Sequence, residues 1–249
     1  MAICPPPVCP PPVCPLPVCP LAVCALPAIV FDGIIDVSHH NGAIDWPAVG
    51  AAGIVLAFLK ATQGVGFVDP AFARNRSAAI AAGILCVPYH FIDTSDPDRQ
   101  AAHFLAVSDP APGAPAMVDW ESAAALSAVL AFGRRVAERA GRDPVAYYGY
   151  AQLRQADREL ARWPLMLPQY PRGSTPGSYR LLVEHPPRLP PGRPVTWDAG
   201  KRPYDFHQYT PAGRVAGIAG AVDRSIWVGT AADLRLWYAA APAGDHAGA

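Results

Sequence analysis

The sequence predicts an α/β fold on a parallel sheet, and a barrel in preference to an open sheet. Three observations point there. From residue 29 onward, short apolar runs alternate with helical patterns. The runs are apolar throughout rather than at every second residue, as strands covered on both faces are. Five such units fit within about 130 residues, a spacing that suits a barrel better than an open sheet without deciding it.

The elements follow in order. The run at 29–37 carries Asp36 at its end, and the helix at 46–52 has Asp45 as N-cap and Pro47 in its first turn. A strand at 54–59 closes on Lys60. Asp69-Pro70 opens a helix through about Ala82 that stops at Gly83, and a strand at 84–89 closes on His90. Asp96-Pro97 starts a helix through about Val107. The fourth strand, Ala116-Met117-Val118, ends in Asp119-Trp120-Glu121 and leads to a long helix at 123–140, which ends at Gly141. A strand at 145–148 precedes a helix at 150–162. After Trp163 the rhythm changes: 165–170, 195–197, 206–209 and 221–228 read as strands with no clear helix between them. A short helix at 230–238 and a frayed tail at 239–249 complete the chain, so the barrel domain is expected over 28–238.

Residues 1–27 stand apart. Cys4, Cys9, Cys14, Cys19 and Cys24 recur every five residues among prolines. Proline at this density favours polyproline II, whose rise of about 3.1 Å per residue places neighbouring cysteines about 15 Å apart. A disulfide needs Cα atoms within about 7 Å, so neighbours cannot pair. The segment reads as a disordered low-complexity extension. It is not a convincing signal peptide: the first Lys or Arg of the chain is Lys60, and prolines interrupt every apolar run. Cys86 is the one cysteine outside it, so the barrel must stand on its core.

Composition narrows the function. Half of the residues are apolar, 16% are charged and the formal net charge is zero, which argues against a partner held by charge such as nucleic acid or anionic lipid. No stretch offers the ~18 apolar residues of a membrane span. Tandem His39-His40 cannot both face one ion from a strand, and no His-x-x-x-His follows, so neither a metal nor any other cofactor is expected.

The polar residues fall at telling places. Asp36, Lys60, His90, Asp119 with Glu121, Tyr148, and Gln169 with Tyr170 each close a different apolar run. In a parallel barrel those C-terminal ends share one rim, where barrel enzymes place their chemistry. Within Asp119-Trp120-Glu121, strand alternation sends both carboxylates one way and Trp120 the other, toward the helical layer. Two residues of strand set the acids roughly 7 Å apart. That layout serves glycosidic bond cleavage, in which one carboxyl stays protonated and the other charged. The spacing lies between the usual retaining and inverting separations, so both outcomes remain open.

The motifs, taken together, resemble glycoside hydrolase family 25, the Chalaropsis-type lysozymes. The resemblance runs through Gly33-Ile34-Ile35-Asp36-Val37-Ser38-His39-His40-Asn41-Gly42, Ile44-Asp45-Trp46, Lys60-Ala61-Thr62-Gln63-Gly64 and Tyr89-His90-Phe91. It continues in Asp119-Trp120-Glu121, Gln169-Tyr170, Gln208-Tyr209-Thr210 and Val222-Asp223. It implies a modified TIM-like barrel of about five β/α units followed by strands with little helix. It implies an N-acetylmuramidase acting on the glycan strands of peptidoglycan, and hence on the cell wall, exported or phage-released. Glu121 falls on the family's acid/base and Asp119 on its charged partner, assisting through the substrate's 2-acetamido group with retention. Asp36 and Asp223 fall on two supporting acids. Lys60, Tyr89, Tyr148, Gln169, Tyr170, Gln208 and Tyr209 are the expected substrate contacts, and the expected state is a monomer. Met166, Pro168, His207 and Ser225 depart from the family pattern, all on the late strands that would shape subsites. A wall-binding barrel without catalysis is the alternative.

Overall fold

The computed structural model of the chain describes residues 30–149, 158–170 and 204–240, with residues 152 and 155 between them. Its strands are β1 Val30–Val37, β2 Leu56–Gln63, β3 Phe67–Val68, β4 Leu85–Phe91, β5 Met117–Asp119, β6 Val145–Tyr147, β7 Leu165–Pro168, β8 Phe206–Gly213 and β9 Val222–Val228. The helices are α1 Trp46–Ala51, α2 Phe72–Ala81, α3 Pro97–Ser108, α4 Leu126–Ala140 and α5 Ala231–Ala239. The sheet order β1-β9-β8-β7-β6-β5-β4-β2 closes on itself through a β1–β2 pairing, making an eight-stranded barrel with β3 as a hairpin extension of β2. Neighbours from β1 round to β8 run parallel. Strand β9 is antiparallel to both β8 and β1. That one reversed strand makes the barrel a modified one.

The local signals work as their chemistry predicts. Asp45 Oδ1 accepts from the Ala48 N–H at 3.2 Å and Asp96 Oδ1 from the Arg99 N–H at 2.8 Å, each with proline in the first helical turn. Gly141 ends α4 with φ of 73°. Elsewhere tertiary contacts move the boundaries. Asp69 does not cap α2 directly: one oxygen holds the Ala71 N–H and the other is drawn to His39, so the helix opens at Phe72. Helix α4 starts at Leu126 rather than 123, because Ser122 Oγ accepts from the Ala124 N–H and Trp120 Nε1 donates to the Ala124 carbonyl, making a turn there. Strand β2 continues past Lys60 to Gln63 through a register shift between Lys60 and Thr62.

The expected strand at 195–197, the extension at 1–27 and residues 241–249 of the tail lie outside the described residues. So does much of the helix expected at 150–162, of which a 3-10 turn at Leu160–Arg162 is described.

Strand alternation divides the interior in two. Ile35, Ala57, Val118, Ala146 and Leu167 point outward into a layer shared with the helices, where Trp46, Phe104, Phe132 and Trp163 are buried. Gly133 lets Trp163 lie against α4, since a Cβ there would sit 1.9 Å from the indole. Ile34, Phe58, Val87, Met117, Val145, Met166, Phe206 and Trp227 point inward and fill the barrel. Because β9 is reversed, its end delivers α5 to the barrel floor, where Leu234 is buried and Trp237 meets the Phe206 ring edge-on at 5.1 Å. The floor is therefore apolar and plugged, and polar groups on the inward face collect at the opposite mouth.

Candidate active site

Inward-facing residues from β1, β4, β5, β6, β8 and β9, with Glu121 and Tyr170 just past their strands, reach that mouth. Asp36, Tyr89, Met117, Asp119, Glu121, Tyr147, Tyr170, Gln208 and Asp223 line a cleft of about 190 Å³. Asp223 belongs there because β9 runs backwards: its second residue, not its end, lies at the mouth and pairs in register with Asp36. Asp119 and Tyr147 are register partners on β5 and β6. Strand β5 stops at Asp119, so Glu121 lies one step beyond the wall, more exposed than its neighbour.

Gln208 organises one flank. Its Oε1 accepts from the Tyr147 hydroxyl at 2.8 Å and the Tyr170 hydroxyl at 2.6 Å, while its Nε2 donates to Asp36 Oδ2 at 2.9 Å. Both lone pairs of the amide oxygen are taken, which leaves the N–H side facing the acid. Asp36 and Asp223 are hydrogen-bonded to each other. Burial and the charge of Asp223 push Asp36 well above the usual carboxylate range. In that hydrogen bond Asp36 is the donor and Asp223 the acceptor. Burial also raises Asp223, and the bond from Asp36 offsets part of that rise.

Across the mouth, burial and then the neighbouring Glu121 push Asp119 well upward, with Lys60 opposing. One Asp119 oxygen is enclosed without a hydrogen-bond partner. Partial enclosure and then Asp223 raise Glu121, again against Lys60. Asp119, expected to be the charged partner of Glu121, is thus pushed further toward its neutral form, because it closes a strand paired on both sides and is only 7% exposed.

Other expected contacts lie elsewhere. Tyr148 faces outward, fully buried against Trp120 with ring centroids 5.8 Å apart, and the mouth position belongs to Tyr147. Tyr209 also faces out, its hydroxyl donating to Asp32 Oδ1 at 2.9 Å. Gln169 lines no part of the cleft; its backbone N–H donates to the Gln208 carbonyl and its carbonyl accepts from His207 Nε2. Lys60 stands beside the cleft, its Nζ donating to Gln63 Oε1 at 2.8 Å, and it acts on the acids by charge. His90 is a buried outer-layer residue between Thr62 and Gln100, with burial lowering its pKa to about 4. Of the departures from the family pattern, Met166 packs inside the barrel and His207 points outward, so neither touches the cleft. Tyr147 and Met117 went unrecognised in the sequence. In Val145-Ala146-Tyr147-Tyr148 only register against Asp119 tells which tyrosine faces in. Among the described residues, no three His, Cys, Asp or Glu are grouped to hold a metal.

The geometry is matched by likeness. The family model for glycosyl hydrolases family 25 matches residues 35–218. Lysozyme M1 of Streptomyces globisporus is 31% identical over 222 residues, covering 80% of this chain and 69% of that protein. Among solved structures, the bacterial lysozyme from Streptomyces coelicolor superposes with a TM-score of 0.66 at 26% identity, covering 82% of this chain and 95% of that one. A family 25 lysozyme from Aspergillus fumigatus also reaches 0.66, at 22% identity, covering 85% of this chain and 100% of that one, a likeness of fold.

Proposed function

The chain belongs to the glycosyl hydrolases of family 25, and from that premise we propose that it is an N-acetylmuramidase, cutting the β-1,4 bond between N-acetylmuramic acid and N-acetylglucosamine in peptidoglycan. The observation that carries the reading is the meeting of Asp36, Asp119, Glu121 and Asp223 in one cleft with three tyrosines and an amide.

Glu121 is the general acid. Its raised pKa favours the protonated form, and its exposed position lets it meet the glycosidic oxygen. As the C1–O bond breaks, the Glu121 proton passes to the leaving sugar's oxygen, and the 2-acetamido oxygen of the muramic acid closes on C1. Asp119 assists: the substrate's acetamido N–H supplies its cleft-facing edge with a donor. That donor, with Lys60 nearby, favours the charged form in the substrate complex, and the carboxylate then holds the acetamido N–H as positive charge develops. Water then attacks C1 from the face the leaving group vacated and gives a proton to Glu121. The acetamido ring opens, with net retention. Asp36 and Asp223, sharing a proton, hold one negative charge at the mouth, which sustains the Glu121 pKa and faces the developing cation.

Digestion of purified peptidoglycan by the chain and by its Glu121→Gln variant tests this. The expected result is muramic acid at the new reducing ends, seen by mass spectrometry after reduction, with the variant slower by about 10³-fold. New ends carrying N-acetylglucosamine, or equal rates from both proteins, would overturn it.

A further inference from the structure

The cleft holds about 190 Å³, and the substrate read for it is a polymer, so the rest of a bound strand must lie on the rim. Among the described residues, the phenylalanines, tyrosines and tryptophans are buried or half-buried with two exceptions, Phe67 at 41% and Tyr170 at 43% exposed. Both are at the mouth. Phe67 lies in β3 beside the end of β2, paired in register with Gln63. Tyr170 follows β7 and already lines the cleft. Around the barrel, β2 and β7 are four places apart in either direction, about 19 Å along the wall at ~4.8 Å per strand. A line between them has Asp119 of β5 and Glu121 just beyond it on one flank, and Asp36 and Asp223 of β1 and β9 on the other. The two exposed rings thus mark the ends of a path that passes between the acids.

Phe67 is also held in place, as an incidental surface ring would not be. The His103 imidazole, on α3, donates from Nε2 to the Phe67 carbonyl at 3.0 Å. The His39 ring stands 5.9 Å away and is itself fixed by Asp69, whose Oδ2 receives Nδ1 at 2.7 Å. Lys60 Nζ lies 5.8 Å from the ring centroid, and its charge reaches Asp119 and Glu121, so hairpin and cleft are contiguous. Val65 and Val68 extend the apolar surface on either side. An aromatic face with polar groups at its edges fits a pyranose ring, whose C–H faces are apolar and whose rim is polar.

We propose that the β2–β3 hairpin carries a distal sugar subsite on Phe67, so that a glycan strand crosses the mouth from Phe67 to Tyr170. The inference rests on the glycan-cleaving reading of the cleft. Its test uses the full chain, Phe67→Ala and Phe67→Trp, with peptide-free glycan strands and a tetrasaccharide of alternating N-acetylglucosamine and N-acetylmuramic acid. Binding of the strands is measured by co-sedimentation, and cleavage of both substrates is followed. Phe67→Ala is expected to weaken strand binding and raise KM on strands by about fivefold, with the tetrasaccharide affected less and Tm unchanged. Phe67→Trp should restore both. Equal losses on the two substrates, or unchanged strand binding, would overturn the subsite. Strands bound but never cut by the unmodified chain would overturn the muramidase reading, while the binding comparison still judges Phe67.

Discussion

Tyr147 and Tyr148 are neighbours at the end of β6, yet they belong to different regions of the molecule. Tyr147 faces the mouth and gives its proton to Gln208, within a set of groups whose charges are poised against one another. Tyr148 faces the helical layer and packs on Trp120. The same division separates Tyr89 from His90 and Gln208 from Tyr209. Inside the mouth, buried acids are crowded and their pKa values driven up. In the outer wall, Asp32 meets Arg224 at 2.9 Å and the Tyr209 hydroxyl, which offset part of the rise that burial imposes on it. The inner region sacrifices stability for chemistry and the outer one supplies it, so substitutions should move activity and stability in opposite ways on the two sides.

Asp119→Asn should give the largest contrast. Turnover is expected to fall about 10²-fold, while the protein becomes more stable at pH 7 by about 1 kcal/mol, a few degrees in Tm. The sign follows from linkage. The folded pKa of Asp119 lies above its unfolded value near 3.8, so between the two the native state binds more protons and stability falls as pH rises. The Tm gain should therefore shrink as pH is lowered toward 3.8. A Tm loss at pH 7 would break the comparison.

Gly133→Ala is the counterpart in the outer layer. The new methyl collides with the Trp163 indole, and thermal unfolding should show a loss of about 2 kcal/mol with kcat unchanged in the folded enzyme. A drop in kcat at temperatures well below Tm would mean that the outer layer sets the geometry of the mouth.

Gln208→Leu sharpens the account of the mouth itself. The lost N–H favoured the charged form of Asp36. Without it the Asp36–Asp223 pair holds its protons to higher pH, and the acid limb of the rate profile should move upward. On that limb the rate should be about tenfold lower, with a smaller change at the optimum. A uniform loss at all pH values would instead mark Gln208 as a substrate contact only.

Tyr209→Phe, one residue along and on the other face, should cost about 1 kcal/mol of stability through the lost bond to Asp32 and leave the rate profile superimposable on that of the unmodified chain.

Much of this architecture is legible in the residues. Apolar runs ending in acids and amides announce parallel strands with a polar mouth, and Asp45-x-Pro47 and Asp96-Pro97 announce their helices because capping is a local interaction. Asp36, Asp119, Glu121 and Asp223 were each recognisable, and the structure brings all four into one cleft. Tyr148, Tyr209 and Gln169 were misplaced for a common reason. At the end of a short run with two adjacent candidates, composition cannot tell the inward position from the outward one. That depends on register with the neighbouring strands, which a single strand does not contain.

The order of elements, the helix starts and the stock of acids are local properties of the chain, because propensity, capping and periodicity act within a few residues. Three other features arise only from long-range contacts. Reversal of β9 set Asp223 opposite Asp36 and sent α5 to the floor. Pairing on both sides of β5 buried Asp119 more deeply than Glu121. Barrel closure set Phe67 and Tyr170 on opposite sides of one mouth. All three depend on contacts between residues far apart in the chain, where distance, burial and charge exist only once the sheet has closed.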